Sequence, residues 1–256
     1  MPPTLMKRQT FENFRAIRSR LAAGPLLNVP TGELAGVFVP WAGSRLRADG
    51  GIYYVGMATN GPYCTNAPNE FDERARFAES LCITRDRGLV RTPFWQFLDG
   101  MAWALLGGPF NERSERFGWS NLLKIGWSDG NPNQWRPPIA PLLIDEQREA
   151  CVTSILEELE NLHDSLIVIA TANAFGVLED IELFPRLVEE WQSDYQQNWQ
   201  KSYYEQTGVW WFKEVRSRNL YVHCFHPGYA VRASDSFWGS ALGRIINLAQ
   251  DMPAFA

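Results

Sequence analysis

The sequence predicts an α/β protein, a three-layer α/β/α sandwich around a mostly parallel four-stranded sheet. Three observations lead there. Helical and strand-like hydrophobic patterns alternate along the chain, which favours parallel strands joined by crossover helices. Leu166-Ile-Val-Ile-Ala-Thr-Ala172 is a continuous apolar run, the signature of a strand covered on both faces. Another strand pattern, Asn219 to Phe225, is followed at once by the chain-breaking His226-Pro227-Gly228.

The elements follow in order. Phe11, Phe14, Ile17 and Leu21 recur at spacings of three and four, so residues 7–22 read as an amphipathic helix with a solvated basic face. Ile52-Tyr-Tyr-Val55 is a buried strand that empties through Gly56 into a Gly/Asn/Pro loop. Thr92 to Leu106 is a helix capped by Thr92, with Pro93 in its first turn and Gly107-Gly108-Pro109 as its stop. Gly118 to Ile125 is a second strand that contains Asn121. Asp145 to Leu162 is a helix with Cys151, Ile155, Leu159 and Leu162 on its buried stripe and Glu157, Glu158 and Glu160 facing water. After the two apolar strands, Ser236 to Gln250 is a closing helix that buries Trp238, Leu242, Ile245 and Leu248 or Ala249. Residues 184–212 hold Trp191, Trp199, Trp210 and Trp211 among Gln and acidic residues, and read as a Trp-rich helical insertion.

Composition bounds the function. With 256 residues, 45% of them hydrophobic and 21% charged, the chain can bury a full core as a single domain, and wholesale disorder is excluded. A net charge of −5 argues against a protein that coats nucleic acid, though not against a local basic cleft at which Arg45, Arg47, Arg216, Arg218 and Arg232 would have to gather. No apolar run approaches the ~20 residues of a membrane span, and the N-terminus carries no signal core, so the expectation is a cytoplasmic protein with no membrane partner. Cys64, Cys82, Cys151 and Cys224 are widely spaced, which fits reduced thiols better than a disulfide framework.

In open α/β sheets, ligands bind beyond the carboxyl ends of the strands. Three loops there carry suggestive chemistry: Gly56-Met-Ala-Thr-Asn-Gly-Pro-Tyr63, the neighbourhood of Asn121, and His226-Pro-Gly-Tyr229. With these the chain resembles the uracil-DNA glycosylase superfamily, most nearly its iron–sulfur branch. The segments that carry the resemblance occur in family order: YYVGMATNG at 53–61, TPFWQFLDGMAWALLG at 92–107, WSNLLKIG at 119–126, EQREACVTSILEEL at 146–159, LIVIATANAFGVL at 166–178, HPGYAVR at 226–232 and FWGSALGRIINLA at 237–249.

The resemblance implies a pocket that accepts a base turned out of the duplex, with DNA (single-stranded or mismatched) or a free nucleobase as partner. Base extrusion costs a few kcal/mol, offset by stacking and by hydrogen bonds to the base edge. Asn121 would read that edge, since an amide offers both a donor and an acceptor. Gly56 would admit the base, and Phe94 or Tyr63 would stack on it. His226 would stabilise the departing base anion. Tyr229 and Val231 would belong to the loop that wedges into the duplex, and Arg232 would meet a phosphate.

Two departures from the family pattern bear on activity. Its first motif places an acid or Asn just after the glycine, where it positions water and stabilises positive charge on the sugar. Here those positions are Met57 and Ala58, and Asn60 is the remaining candidate to orient water. The iron–sulfur branch needs four cysteine ligands, two of them as a close N-terminal pair. Only Cys151 falls on a ligand position, Ile125 occupies the one before it, and no close pair exists, so no cluster, cofactor or metal is expected. There is no GxSxG elbow, Walker-type GK[ST] or helix-opening GxGxxG. Three function classes follow: a DNA glycosylase acting on uracil or a related damaged base but lacking the usual first-motif acid, an inactive nucleobase- or nucleic-acid-binding protein on the same fold, and an interaction scaffold using the Trp-rich segment.

Overall fold

The computed structural model describes residues 4–24, 26, 34–58, 70–84, 88–89, 92–127, 137, 139–171, 209–214, 216–224 and 235–256. In chain order these form α1 (Arg8–Ala23), β1 (Trp41–Ala42), α2 (Leu46–Asp49), β2 (Ile52–Ala58), α3 (Phe71–Cys82), β3 (Ile83–Thr84), β4 (Gly88–Leu89), α4 (Pro93–Leu106), α5 (Phe110–Ser114), β5 (Phe117–Leu123), α6 (Ile139–Leu159), β6 (Leu166–Ala170), β7 (Val209–Lys213), β8 (Leu220–Cys224) and α7 (Asp235–Ala249), with a final 3-10 turn at Pro253–Phe255.

The main sheet has six strands in the order β1-β5-β2-β6-β8-β7, and β3 and β4 form a separate two-stranded hairpin. The four expected strands are β2, β5, β6 and β8, and all of their pairings are parallel. The sheet exceeds the four strands expected because antiparallel β1 and β7 line its two edges. β7 corrects the reading of the Trp-rich segment: residues 209–212, expected to be helical, are extended and pair with β8, as their β-branched and aromatic side chains favour. Residues 184–208 lie outside the described residues.

Side chains on the two faces of the sheet enter two apolar clusters. Tyr53, Val55, Leu122 and Ile167 pack with Phe11, Phe14 and Leu21 of α1 and Cys151 and Ile155 of α6. Ile52, Tyr54, Trp119 and Val168 pack with Phe97, Leu98 and Met101 of α4 and Ile245 and Ala249 of α7. Helices thus cover both faces, as the alternating patterns require.

Local chemistry explains the helix bounds. Thr92 caps α4, its hydroxyl accepting from the Trp95 amide, and Gly107 ends the helix at φ +61°, where a side chain would be strained. α6 begins six residues before the Asp145 expected, since Pro141 falls in the first turn, where a helix has no use for its amide hydrogen. One charged residue of α6 also differs from expectation. Glu158, expected in water, is fully buried.

The basic face of α1 is exposed to solvent, as expected, and its charges pair with acids at the surface. Lys7 approaches Glu157 of α6 and Glu160 just after it, Arg8 pairs with Asp72 of α3, Arg15 with Glu12, and Arg20 with Glu146. Arg18 donates to the carbonyls of Ala35 and Leu34. Among the described residues no helix is long and apolar enough to cross a membrane.

Candidate functional site

Parallel pairing places Gly56 of β2 directly beside Asn121 of β5, near the carboxyl ends of both strands. Strand alternation turns Tyr54 and Trp119 to the same face of the sheet, where both join the cluster beneath α4. Phe94, in the first turn of α4, reaches over from that side. A β-carbon at Gly56 would lie 2.7 Å from Asn121 Oδ1 and 2.9 Å from two carbons of the Phe94 ring. Only glycine allows the amide and the ring to approach the strand so closely.

Asn121 is 2% exposed, and its amide nitrogen has no hydrogen-bond partner among the described residues. Such a group costs about 1–3 kcal/mol when left unpaired, so its retention calls for an explanation. Around it stands a wall of rings. Phe94 meets Tyr54 at 4.5 Å between centroids and Trp95 at 4.8 Å, edge to face. Trp119 meets Trp95 at 4.6 Å and Phe38 at 4.7 Å. The Tyr54 hydroxyl is likewise buried with no partner among the described residues, and burial, reinforced by Cys224 nearby, pushes its pKa well above the ordinary value. It therefore stays a neutral phenol. In chemical terms the site offers an amide and aromatic faces in a nearly dry setting, suited to a flat polar ring.

Of the residues singled out by sequence, the fold brings Gly56, Asn121 and Phe94 together. Asn60, Tyr63, His226, Tyr229, Val231 and Arg232 lie outside the described residues. Met57 and Ala58, which replace the expected acid, pack against the apolar cluster beneath α1 and α6.

Four of the five arginines expected at the pocket mouth, those among the described residues, are elsewhere. Arg45, bonded through its amide to Glu115, precedes β5 in space, and Arg47 donates to the Thr4 carbonyl. Arg216 and Arg218 occupy the turn just before β8, where Arg218 pairs with Asp164. All four lie toward the amino ends of the parallel strands, opposite Asn121. The reason is topological: each of these residues leads into a strand, whereas ligand loops leave one.

A groove of about 520 Å³ also opens at that amino end, between the last turns of α6 and the β7–β8 turn, with Leu156, Leu162, His163 and Tyr221 among its lining residues. It is separate from the Asn121 site. Glu214, on its rim, is raised in pKa by burial but lowered more by bonds from Ser217 and Arg216, so it holds its charge as a turn anchor.

The residues around Cys151 do not fit a metal cluster. Its thiol is fully buried, donates to Gln147 Oε1 at 3.4 Å, and is pushed up to about 12 by burial. Gln147 in turn bridges the backbone amide and carbonyl of Ile125, so the polar groups here satisfy one another. Among the described residues no group of three or more His, Cys, Asp or Glu side chains could hold a metal ion.

Behind the site lies a charged pair that the sequence does not reveal. Lys124, immediately after β5, and Glu158 are both fully buried and meet at 2.7 Å. A lysine next to an apolar strand and a glutamate in an acidic run carry no distinctive sequence signal.

Compared with protein-family models and with curated proteins, the sequence matches none.

Proposed function

We propose that the protein adopts the three-layer architecture of the uracil-DNA glycosylase superfamily, receives a nucleobase against Asn121, Gly56 and Phe94, and hydrolyses the N-glycosidic bond of uracil or a related damaged base turned out of DNA. One observation carries this reading: a buried Asn121 amide with no partner among the described residues, packed close against Gly56 and an aromatic ring, at the carboxyl end of a parallel sheet. A base edge supplies the missing acceptor, and the Phe94 ring supplies a stacking surface. Helices on both faces of the sheet support the layered architecture. The roles of His226 with the leaving base, Asn60 with water, Tyr63 as an alternative platform, and Tyr229, Val231 and Arg232 on the nucleic acid rest on the resemblance alone.

Two observations favour a second reading, base binding without hydrolysis. Met57 and Ala58 point no carboxylate at a sugar, and Arg45, Arg47, Arg216 and Arg218 lie away from the site. A free nucleobase or a short single strand then suits the site better than duplex DNA, whose affinity depends on phosphate contacts.

One experiment separates the two. The protein is incubated with end-labelled single-stranded and mismatched oligonucleotides containing uracil, and its tryptophan fluorescence is titrated with free uracil. Abasic sites establish the glycosylase. Quenching without abasic sites establishes the binder, and neither response overturns both.

A further inference from the structure

On the opposite face of β5 from the Asn121 side chain lies a closed polar network. Lys124 Nζ donates to Ser120 Oγ and to the Asn121 backbone carbonyl, each at 2.6 Å, and meets Glu158 Oε1 at 2.7 Å. Those three contacts use all three ammonium protons. Glu158 is held in turn from two sides: the Tyr53 hydroxyl donates to its Oε2 at 2.8 Å and the Ser154 hydroxyl to its Oε1 at 2.7 Å. The network spans β2, β5 and α6, and its ion pair has no exposure to solvent.

A buried ion pair of this kind is weak evidence for stability, because apolar replacements of similar volume often leave a protein as stable or more so. Its geometric effect is specific, however. The cation clamps the carbonyl of the one residue whose side chain carries the unpartnered amide, and a peptide fixed on one face of a strand fixes the side chain that leaves from the other.

We infer that Lys124 and Glu158 are positioning residues that hold the Asn121 amide in register with its ligand, and that this task, rather than stability, accounts for the charged pair in the core. The inference rests on Asn121 as the base-reading residue for its functional half, while its structural half stands on the network alone. Lys124 acts through Asn121 and touches no substrate.

The test replaces both charges together, Lys124→Met with Glu158→Leu, in the full-length chain labelled with 15N-asparagine. Two quantities are read: the side-chain amide signals of Asn121, assigned by their loss in Asn121→Leu, and the affinity for free uracil from tryptophan quenching. The double variant is expected to show the Asn121 signals shifted or broadened and the uracil Kd raised about tenfold or more. A parent-like amide signal in a folded double variant overturns the inference whatever uracil does. Altered signals with unchanged uracil affinity overturn its functional half. Failure of the parent protein to bind uracil counts against the proposed function, and the amide signals then decide the structural half alone.

Ser120→Ala removes one of the three acceptors and keeps the ion pair, and it serves should the double variant not fold. It is expected to move the same amide signals and to raise the uracil Kd about threefold, the worth of one modest hydrogen bond. Unchanged signals in Ser120→Ala likewise overturn the inference.

Discussion

Replacing Asn121 by leucine is expected to stabilise the fold while it destroys the site. The buried amide nitrogen makes no hydrogen bond to a described residue, and leaving such a group unpaired costs about 1–3 kcal/mol. Leucine removes that cost and extends the apolar wall of Tyr54, Phe94 and Trp119. Against this stands the tight packing, since Oδ1 already lies 2.7 Å from where a Gly56 β-carbon would be, and fitting a methyl group there costs up to about 1.5 kcal/mol. The balance is a gain of about 1 kcal/mol, or about 2–4 °C in melting temperature for a chain of this size. Urea unfolding followed in parallel by tryptophan fluorescence and far-ultraviolet dichroism measures it, and coincident transitions license a two-state free energy. Over the same preparation, uracil affinity is expected to fall about 10- to 100-fold, the worth of one or two hydrogen bonds to the base. A loss of more than about 1 kcal/mol in the variant would refute the reasoning, because it would mean that the amide is a structural group already satisfied by the fold.

Gly56→Ala tests the same pocket from the other strand: its methyl meets Asn121 Oδ1 and the Phe94 ring, so a loss of about 1–3 kcal/mol and of uracil binding is expected, read by urea unfolding and by quenching. His223 gives a pH dependence. Burial lowers its pKa to about 3 in the fold against an ordinary value of 6.5, so the unfolded chain binds the extra proton and stability falls as pH drops below 6.5 toward 3, by about 1.4 kcal/mol per unit. Urea midpoints from pH 4 to 7 are expected to vary less in His223→Phe than in the parent, and equal slopes would count against a neutral buried imidazole. The thiols of Cys151 and Cys224, both pushed up to about 12 by burial, are expected to resist iodoacetamide at pH 8 in the folded protein and to react once urea unfolds it, as peptide mass spectrometry would show.

Much of the scaffold was legible in the residues because burial imposes period. Phe11, Phe14, Ile17 and Leu21 recur at helical spacing and are all buried in α1. The run from Leu166 to Ala170 is apolar throughout because both of its faces are covered, and Thr92-Pro93 with Gly107 marks the two ends of α4 by cap chemistry. Short edge strands carry no such period. β1 has two residues, and β7 sits in a stretch whose Trp, Gln and acid content suggested a helix. In the site, Gly56 and Asn121 were legible as residue types at strand ends, but their adjacency needed the register of β2 on β5. Glu158 was not legible. Its sequence neighbours Glu157 and Glu160 reach the surface, and only the three-dimensional approach of Lys124 makes burial of the residue between them tolerable.

The docking of α1 on α6 also sets a timetable for synthesis. The face carrying Phe11, Phe14 and Leu21 leaves the ribosome early, while the Cys151 and Ile155 side of the same cluster emerges more than a hundred residues later. At ordinary translation speeds that interval is on the order of ten seconds, during which the apolar face of α1 lacks its α6 neighbour. β2 waits in the same way for β6, its neighbour on one flank. Apolar surface that the finished fold covers is thus exposed for longest on the growing chain, where cooperative packing cannot yet protect it.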